Sequence, residues 1–502
     1  QPNLQRDWQY RPCRLAGTQA KTVKTLWTHT IPFQKVQRVA HGETDNQSLV
    51  DYLQTRIGPT DRALALYSGD AEIFGFRPGR FKTEAILHHD EWARLRALFD
   101  EIAAHEAMRF IAPMRLLERD DRDAERVVDP ATADCPIPVK KQPKYNVARW
   151  AASGRDDFRL NAAAHQASND LAKTTRSSPV SPAEIKAMLD LWRSDYRTHL
   201  TEARWQRLSC RLAPTPIAKK ASAQARTMRD ARAHAPIVWE ESDRSILIKT
   251  RSLILVLNKD RGLALTAAAP AARHEEPLLG TLPHGTFDDI RFAFDWYSGH
   301  LVYERPGEAK ITDLASVRPV ITPMPEALSL TATLETALGP LRKQVTVHTH
   351  NPTIDISYTL DFDFLPPGSL RLGHVTLHPK GWKQDCLAYE THNGGPEAER
   401  FALRDTMVDH GSATTFLVST KNVLGMTEGQ LDLTDGRHRL RLSVDKTQTP
   451  LFGLISHRQV DGIAFTRACL TARELDETCR PVTLSEPRHL AYRLSLFSET
   501  TP

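Results

Sequence analysis

The pattern of apolar and polar positions changes character along the chain. Up to about residue 169 short apolar runs alternate with helix-like stretches. Ser48 to Ile57 reads as a helix, and Ala63 to Tyr67 is an apolar run of strand length. From Asp90 to Ala107 an amphipathic helix is predicted: Trp92, Leu95, Leu98, Phe99 and Ile102 recur at helical spacing, with Asp90 as a cap. Strand, polar loop, helix is the unit of a parallel α/β architecture, in which chemistry gathers at the C-terminal ends of strands.

Beyond Thr174 to Pro182, a linker rich in Ser, Thr and Pro, the periodicity becomes helical throughout, from Ser181 to about His234. Ser181-Pro182-Ala183-Glu184 has the form of a capped helix start. After Ser245 the period switches to two. Ile246 to Ile248, Ile254 to Leu257, Val345 to Val347, Ile354 to Tyr358 and Arg437 to Leu442 are strand-like, with turns at Pro366-Pro367-Gly368 and Thr434-Asp435-Gly436. Many short strands with turn signals predict a large β-sandwich.

Composition narrows the function classes. With 502 residues, 40% hydrophobic, the chain can bury sizeable cores without staples. Lys plus Arg (66) and Asp plus Glu (61) nearly cancel, which gives no case for a nucleic-acid or membrane partner. The arginines between Arg204 and Arg229 read as a solvated helical face, since no aromatic set is interleaved with them. The six cysteines form no C-x-x-C pair, as expected of reduced thiols in the cytoplasm. A Cys469–Cys479 disulfide is open but not indicated. No apolar run has the length of a membrane span.

The most informative segment is Ser68-Gly69-Asp70-Ala71-Glu72-Ile73-Phe74-Gly75-Phe76-Arg77-Pro78-Gly79-Arg80. It sets two carboxylates just past the Ala63–Tyr67 run, where a glycosidic leaving oxygen could be protonated. On spacing alone the favoured reading is plainer: Asp70 caps a turn and Glu72 pairs with Arg77 or Arg80. The segment nevertheless resembles the Asp-x-Glu-x-Phe-Gly motif of family 57 glycoside hydrolases. The resemblance implies a retaining mechanism with Asp70 as general acid/base and Glu72 as a site-orienting residue.

Two further stretches are similar to the same family. Lys144 to Trp150, continuing through Gly154-Arg155-Asp156-Asp157 to Asn161, resembles a loop at the barrel mouth. Leu191 to His199 with Arg204-Trp205 resembles a helical region bearing the last substrate-facing motif. By this resemblance Asn146, Arg149, Trp150, Arg155, Asp195 and His199 bind substrate. Aromatic faces stack on sugars, and polar side chains bond hydroxyls. At helical spacing, however, Trp192, Tyr196 and Trp205 also fit a core, and Asp195 with His199 fits a surface pair. Phe416 to Gly425, Gly436 to Leu440 and Glu474 to Thr478 resemble the C-terminal sandwich of some family 57 enzymes and of family 38 α-mannosidases.

The implied fold is an α/β partial (β/α) barrel over residues 1–173, a helical bundle over 174–238 and an all-β sandwich over 239–502. The implied activity is hydrolysis or transfer of α-glycosidic bonds in α-glucan-like oligo- or polysaccharides, without cofactor or metal. One departure stands out. Retention requires a nucleophilic carboxylate roughly 5 Å from the acid/base. Upstream of Asp70 the only glutamate is Glu43, in a polar loop that does not match the nucleophile motif. A fragment, or a split enzyme whose other chain carries the N-terminal half of the barrel, is therefore expected. The competing reading is a non-catalytic carbohydrate-binding or scaffold protein using Trp150, Trp296 or Trp382. A weaker third is a zinc α-mannosidase. That reading expects a His-x-Asp metal motif at an N-terminus not seen in this sequence; separately, His348-Thr349-His350 with His374 and His378 offers imidazoles to zinc, although strand histidines bonded to neighbours or facing solvent are the expected case.

Overall fold

The computed structural model describes residues 9–17, 21–58, 62–69, 74, 89–119, 127–138, 145–198, 200–212, 237–271, 277–287 and 295–498. The chain divides into two compact units, Gln1–Pro130 and Ala131–Pro502. The architecture is a mixed α/β region, then helices, then a large β-rich sandwich.

In the first unit a three-stranded sheet joins Cys13–Ala16 to Thr22–Thr25 antiparallel and to Val127–Val128 parallel. Among the described residues this sheet does not close. Helices α1 (Thr30–Ala40), α2 (Asn46–Ile57) and α3 (Glu91–Ala104) share one apolar core, and α4 (Pro113–Arg119) follows. Asp45 caps α2 by accepting from the Ser48 N–H at 2.8 Å.

Two expectations change. Ala63–Tyr67 is not a sheet strand: it makes one parallel bridge, Ala65 to Thr28, and its side chains are only half-buried. In α3 the buried stripe is Glu91, Leu95, Leu98 and Ile102, while Trp92 and Phe99 are 58% and 40% exposed. The stripe is narrower than the apolar set, so its flanking aromatics lie outside it. Asp90 adopts the left-handed conformation and makes no side-chain cap.

The second unit begins with α5 (Ala148–Ala151) and α6 (Asp157–Thr175). Next come α7 (Pro182–Leu191), a 3₁₀ turn at Ser194–Tyr196, and α8 (Glu202–Ser209). The expected capping box at Ser181 is present in both directions with Glu184. Separate helices follow it among the described residues. Arg193 is extended and Thr201 caps a new helix at the Arg204 N–H, so the chain turns between α7 and α8. Residues 213–236 lie outside the described set.

The sandwich pairs an eleven-stranded sheet with a nine-stranded one. All five expected strands are present, in Ser245–Lys249, Leu253–Asn258, Gly339–His348, Thr353–Leu360 and, starting one residue later than expected, His438–Ser443. The alternation that predicted them is the burial pattern. Leu253, Leu255 and Leu257 from one sheet and Val345, Val347, Ile354 and Ile356 from the other are fully buried in one core. Trp382, 7% exposed, belongs to that core, while Trp296, 5% exposed, packs in a separate cluster with Leu282, Phe287 and Phe465.

Candidate functional site

The segment 145–161 is built against the end of the strand Ile463–Arg473. Asn146 opens α5: its Oδ1 accepts from the Ala148 N–H at 2.8 Å, and its Nδ2 donates to the Thr420 carbonyl at 2.8 Å. One turn on, Arg149 is buried. It lies over the Tyr145 ring and pairs with Glu477 at 2.9 Å and Asp476 at 3.7 Å. Ala148 and Ala152 pack on Val423, Phe452 and Leu454. The Ala152 carbonyl accepts from the Glu474 N–H, and Asn161 Nδ2 donates to the Ala151 carbonyl. Glu474 is itself held by Arg371 at 2.8 and 2.9 Å. Trp150 is half-buried on the same short helix.

The chain then turns at Gly154 into α6. The Gly154 N–H donates to Asp157 Oδ2 at 2.8 Å, and a Cβ at position 154 would stand 2.3 Å from Asp157 Oδ1. Only glycine leaves room for this carboxyl. Asp156 is the helix cap, accepting from the Arg159 N–H, and it also accepts from Arg488 Nη2 at 3.3 Å.

Asp157 is fully enclosed, and burial pushes its pKa up to about 7. The positive charge of Arg197 and the Gly154 N–H oppose that rise, while Asp156 and Asp476 add to it. Arg197 is buried too; burial lowers its pKa and Asp157 raises it. Asp157 Oδ1, Asp476 Oδ2, Arg197 Nη1 and Arg488 Nη1 are all buried without a hydrogen-bond partner. Beside them opens a crevice of about 360 Å3, counted out to its mouth. Arg155, Asp156, Asp157, Arg473 and Arg488 line it over an apolar wall that includes Phe158 and Leu490.

The sequence-derived residues fall into three places. Asn146, Arg149 and Arg155 belong to this network. Arg155 bonds Glu202 at 2.6 Å and covers the Trp205 ring at 4.8 Å, which ties it to α8. Asp195 reaches the same helix from another side, pairing with Arg193 at 2.9 Å and Arg204 at 3.5 Å. His199, Asp70 and Glu72 lie outside the described residues.

Of the Asp70 motif, Phe74 is described. It is buried in the helical core of the first unit against Tyr67, Trp92 and His41, at 5.3, 5.8 and 6.5 Å between ring centroids. On the other side of the motif a Cβ at Gly69 would meet the Phe33 ring at 2.2 Å, so that ring would have to shift. Glu43 is half-exposed and bonded to Arg38 at 3.2 Å, the surface position its polar loop suggested.

Sequence reasoning missed Asp157, Arg197, Asp476 and Arg488. The Gly154-x-x-Asp157 spacing at a helix start was the one local signal available. Of the histidine candidates, His348 is an ordinary strand residue, its Nε2 bonded to Asp355 at 2.8 Å. Among the described residues no group of three His, Cys, Asp or Glu could hold a metal, and no helix is long and apolar enough to cross a membrane. All six cysteines are free thiols.

No protein-family model matches the chain, and no curated protein matches it. Similar solved structures include a TPR-domain containing protein from Parabacteroides distasonis, with 10% identity over 52% of this chain and 50% of that one at a TM-score of 0.36. This chain thus spans half the length of that relative. The 4-alpha-glucanotransferase from Thermococcus litoralis is similar at 11% identity, over 99% of this chain and 76% of that one, with a TM-score of 0.29. A galactose mutarotase-like protein from Clostridium acetobutylicum matches 54% of this chain over its whole length, at 10% identity and a TM-score of 0.35. Overlaps this loose carry no argument, and the functional reading rests on the chain's own residues.

Proposed function

We propose that the chain is the acid/base-bearing part of a carbohydrate-active enzyme of the family 57 glycoside hydrolase type. It hydrolyses or transfers α-glycosidic bonds in α-glucan-like oligo- or polysaccharides, with retention and without a cofactor. The observation that carries this is the Asp70-Ala71-Glu72-Ile73-Phe74-Gly75 motif. Next to the acidic pair, the motif's Phe74 packs against Tyr67 in the helical core of the first unit.

In this reading Asp70 protonates the leaving oxygen and then takes a proton from the incoming water or sugar hydroxyl, and Glu72 orients it. Trp150 offers a stacking face, and Arg155, Asp195 and His199 supply hydroxyl contacts. Asn146 and Arg149 act by holding α5, because their polar atoms are committed to Thr420, Ala148, Glu477 and Asp476. The nucleophile comes from a part of the barrel outside this chain, carried by the same protein or by a separate one. A cytoplasmic setting belongs to the same reading, supported by the six free thiols.

Asp70→Asn in the complete enzyme is the test. Turnover of α-glucans should fall roughly 10²- to 10⁴-fold, the worth of a general acid. Aryl glycosides with good leaving groups should lose far less in the first step, and added azide should restore turnover as a glycosyl azide of retained configuration. Near-normal activity on poor leaving groups would sink the assignment. A wild-type enzyme that binds glucan without any turnover would favour the binding-module reading instead.

A further inference from the structure

The sandwich holds a second constellation, distant in sequence from the segment above. In the strand Ser369–Leu377 the pairing with Ile463–Arg473 slips between Leu372 and Val375, where Gly373 has φ +62°. A bulge of this kind re-aims the next side chain. Here that side chain is His374, whose ring stacks on His300 at 4.4 Å and 17°. His300 is delivered by a second left-handed glycine, Gly299, whose N–H bonds the His374 carbonyl at 2.7 Å.

Directly opposite Thr376 in the ladder stands Arg467, so the two side chains share a face. The Arg467 guanidinium donates to the Tyr297 carbonyl at 2.9 Å and lies 5.4 Å from the Trp296 ring centre. Its Nε has no partner, nor do His374 Nε2, His300 Nδ1 and Thr376 Oγ1. Charge does not balance. Among the described residues Arg467 has no ion-pair partner. On its cross-strand row the carboxylate is Asp409, two strands away and hydrogen-bonded by Ser456. The other cations that act on the two rings are already matched, Lys343 by Asp313 at 2.8 Å and Arg371 by Glu474 at 2.8 Å. Burial and the Arg467 charge both hold the two imidazoles neutral. A guanidinium taken out of water without a counter-charge is costly, and an anion bound against it recovers much of that cost.

We infer that Arg467, His374 and Thr376, brought together by the Gly373 bulge, form a binding site for a small oxyanion, a carboxylate or a phosphate. Arg467 Nε–H and a neutral His374 Nε2–H donate to the anion, Thr376 Oγ–H adds a third bond, and Trp296 walls the site. The bulge is the decisive feature. A regular strand would leave His374 without a reason to stack beside a lone guanidinium.

The experiment titrates the full chain with inorganic phosphate, and separately with acetate, at ionic strength held constant with potassium chloride. Histidine ring ¹H–¹³C signals are followed, with His374→Asn to assign them. Saturable shifts of the His300 and His374 signals are expected with at least one of the two anions, and the tighter binder separates phosphate from carboxylate recognition. Arg467→Gln should weaken binding about tenfold or more, the worth of one charge-assisted hydrogen bond. Thr376→Val keeps the core shape and should weaken it by a smaller factor. Absence of a saturable shift with both anions overturns the inference, as does undiminished affinity in Arg467→Gln. If Arg467→Gln does not fold, unchanged affinity in Thr376→Val overturns it.

Discussion

Two buried ionic arrangements in the same unit behave oppositely. Lys343 sits at the centre of the sandwich with every donor used: Gly262 and Gly299 carbonyls at 2.8 and 2.6 Å, and Asp313 at 2.8 Å. Asp313 is filled in turn by the Leu301 N–H and the Tyr358 hydroxyl. Asp157 and Arg197, by contrast, are both buried within reach of each other's field, yet each keeps an atom with no partner. Burial depth alone therefore does not determine how a charge is satisfied; completeness of hydrogen bonding is what differs between the two. A saturated pair fixes a fold, while an unsaturated group beside a crevice retains capacity for a ligand.

The sharpest way to break this comparison is to remove one partner of the saturated pair. Lys343→Met leaves Asp313 charged and buried, and should cost about 3–5 kcal/mol in urea unfolding. Adding Asp313→Leu should recover part of that loss, because the second change removes the stranded charge. A double variant no better than the single one would show that the two bonded carbonyls, not the ion pair, carry the effect.

Asp157 should respond in the other direction and with pH. Its folded pKa, about 7, lies above the unfolded value near 4. The folded state therefore holds a proton that the unfolded state releases. Stability declines as pH rises from about 4 to about 7, and is flat above that. Asp157→Asn removes this decline. It should be more stable than the native chain by roughly 2–4 kcal/mol at pH 8 and nearly equal at pH 4. Denaturant midpoints at the two pH values decide it; equal differences would mean the carboxyl stays ionised.

Gly154→Ala probes the same place sterically. The added methyl would need the space of the Asp157 carboxyl and would break its bond to the Gly154 N–H. A cost of about 1–3 kcal/mol is expected. In the Asp157→Gly background that cost should shrink, since the clash partner is gone.

These contrasts also mark what was readable from sequence. Strand positions such as Leu253, Leu255 and Leu257 announce themselves, because alternation and burial are one property. The capping box at Ser181 is local chemistry and equally legible, whereas the cap expected at Asp90 is not made. The face of α3 was not. Trp92 and Phe99 fit a helical stripe, but how much of it is buried depends on what packs there. The site was legible only as pieces. Asn146 and Arg149 were chosen as sugar ligands, yet their partners Thr420 and Glu477 are 274 and 328 residues away, and no spacing rule connects them. Asp156 and Arg488 are separated by 332 residues. Pairings over such distances belong to the tertiary fold alone.

The smallest effect belongs to a third ionic group, on the outer face of the nine-stranded sheet. Asp355 accepts from Arg493 Nε and Nη2 at 2.6 and 2.9 Å and from His348 at 2.8 Å. Partial burial pushes its pKa up, but these bonds outweigh burial and hold it down at about 2. With the folded pKa below the unfolded one, the pair stabilises above pH 4 and is lost as pH falls toward 2. The geometry is as good as that of Lys343, and the pKa displacement is clear. Yet the Arg493 side chain is 52% exposed and that of Asp355 35%. Water competes for both partners in the folded state and solvates both in the unfolded one. Arg493→Ala should therefore cost less than about 1 kcal/mol at pH 7 and nothing measurable at pH 2. Raising salt to 1 M should shrink the difference further. A loss near that of Lys343→Met would mean that bond geometry, not the medium around it, sets the worth of an ion pair in this sandwich.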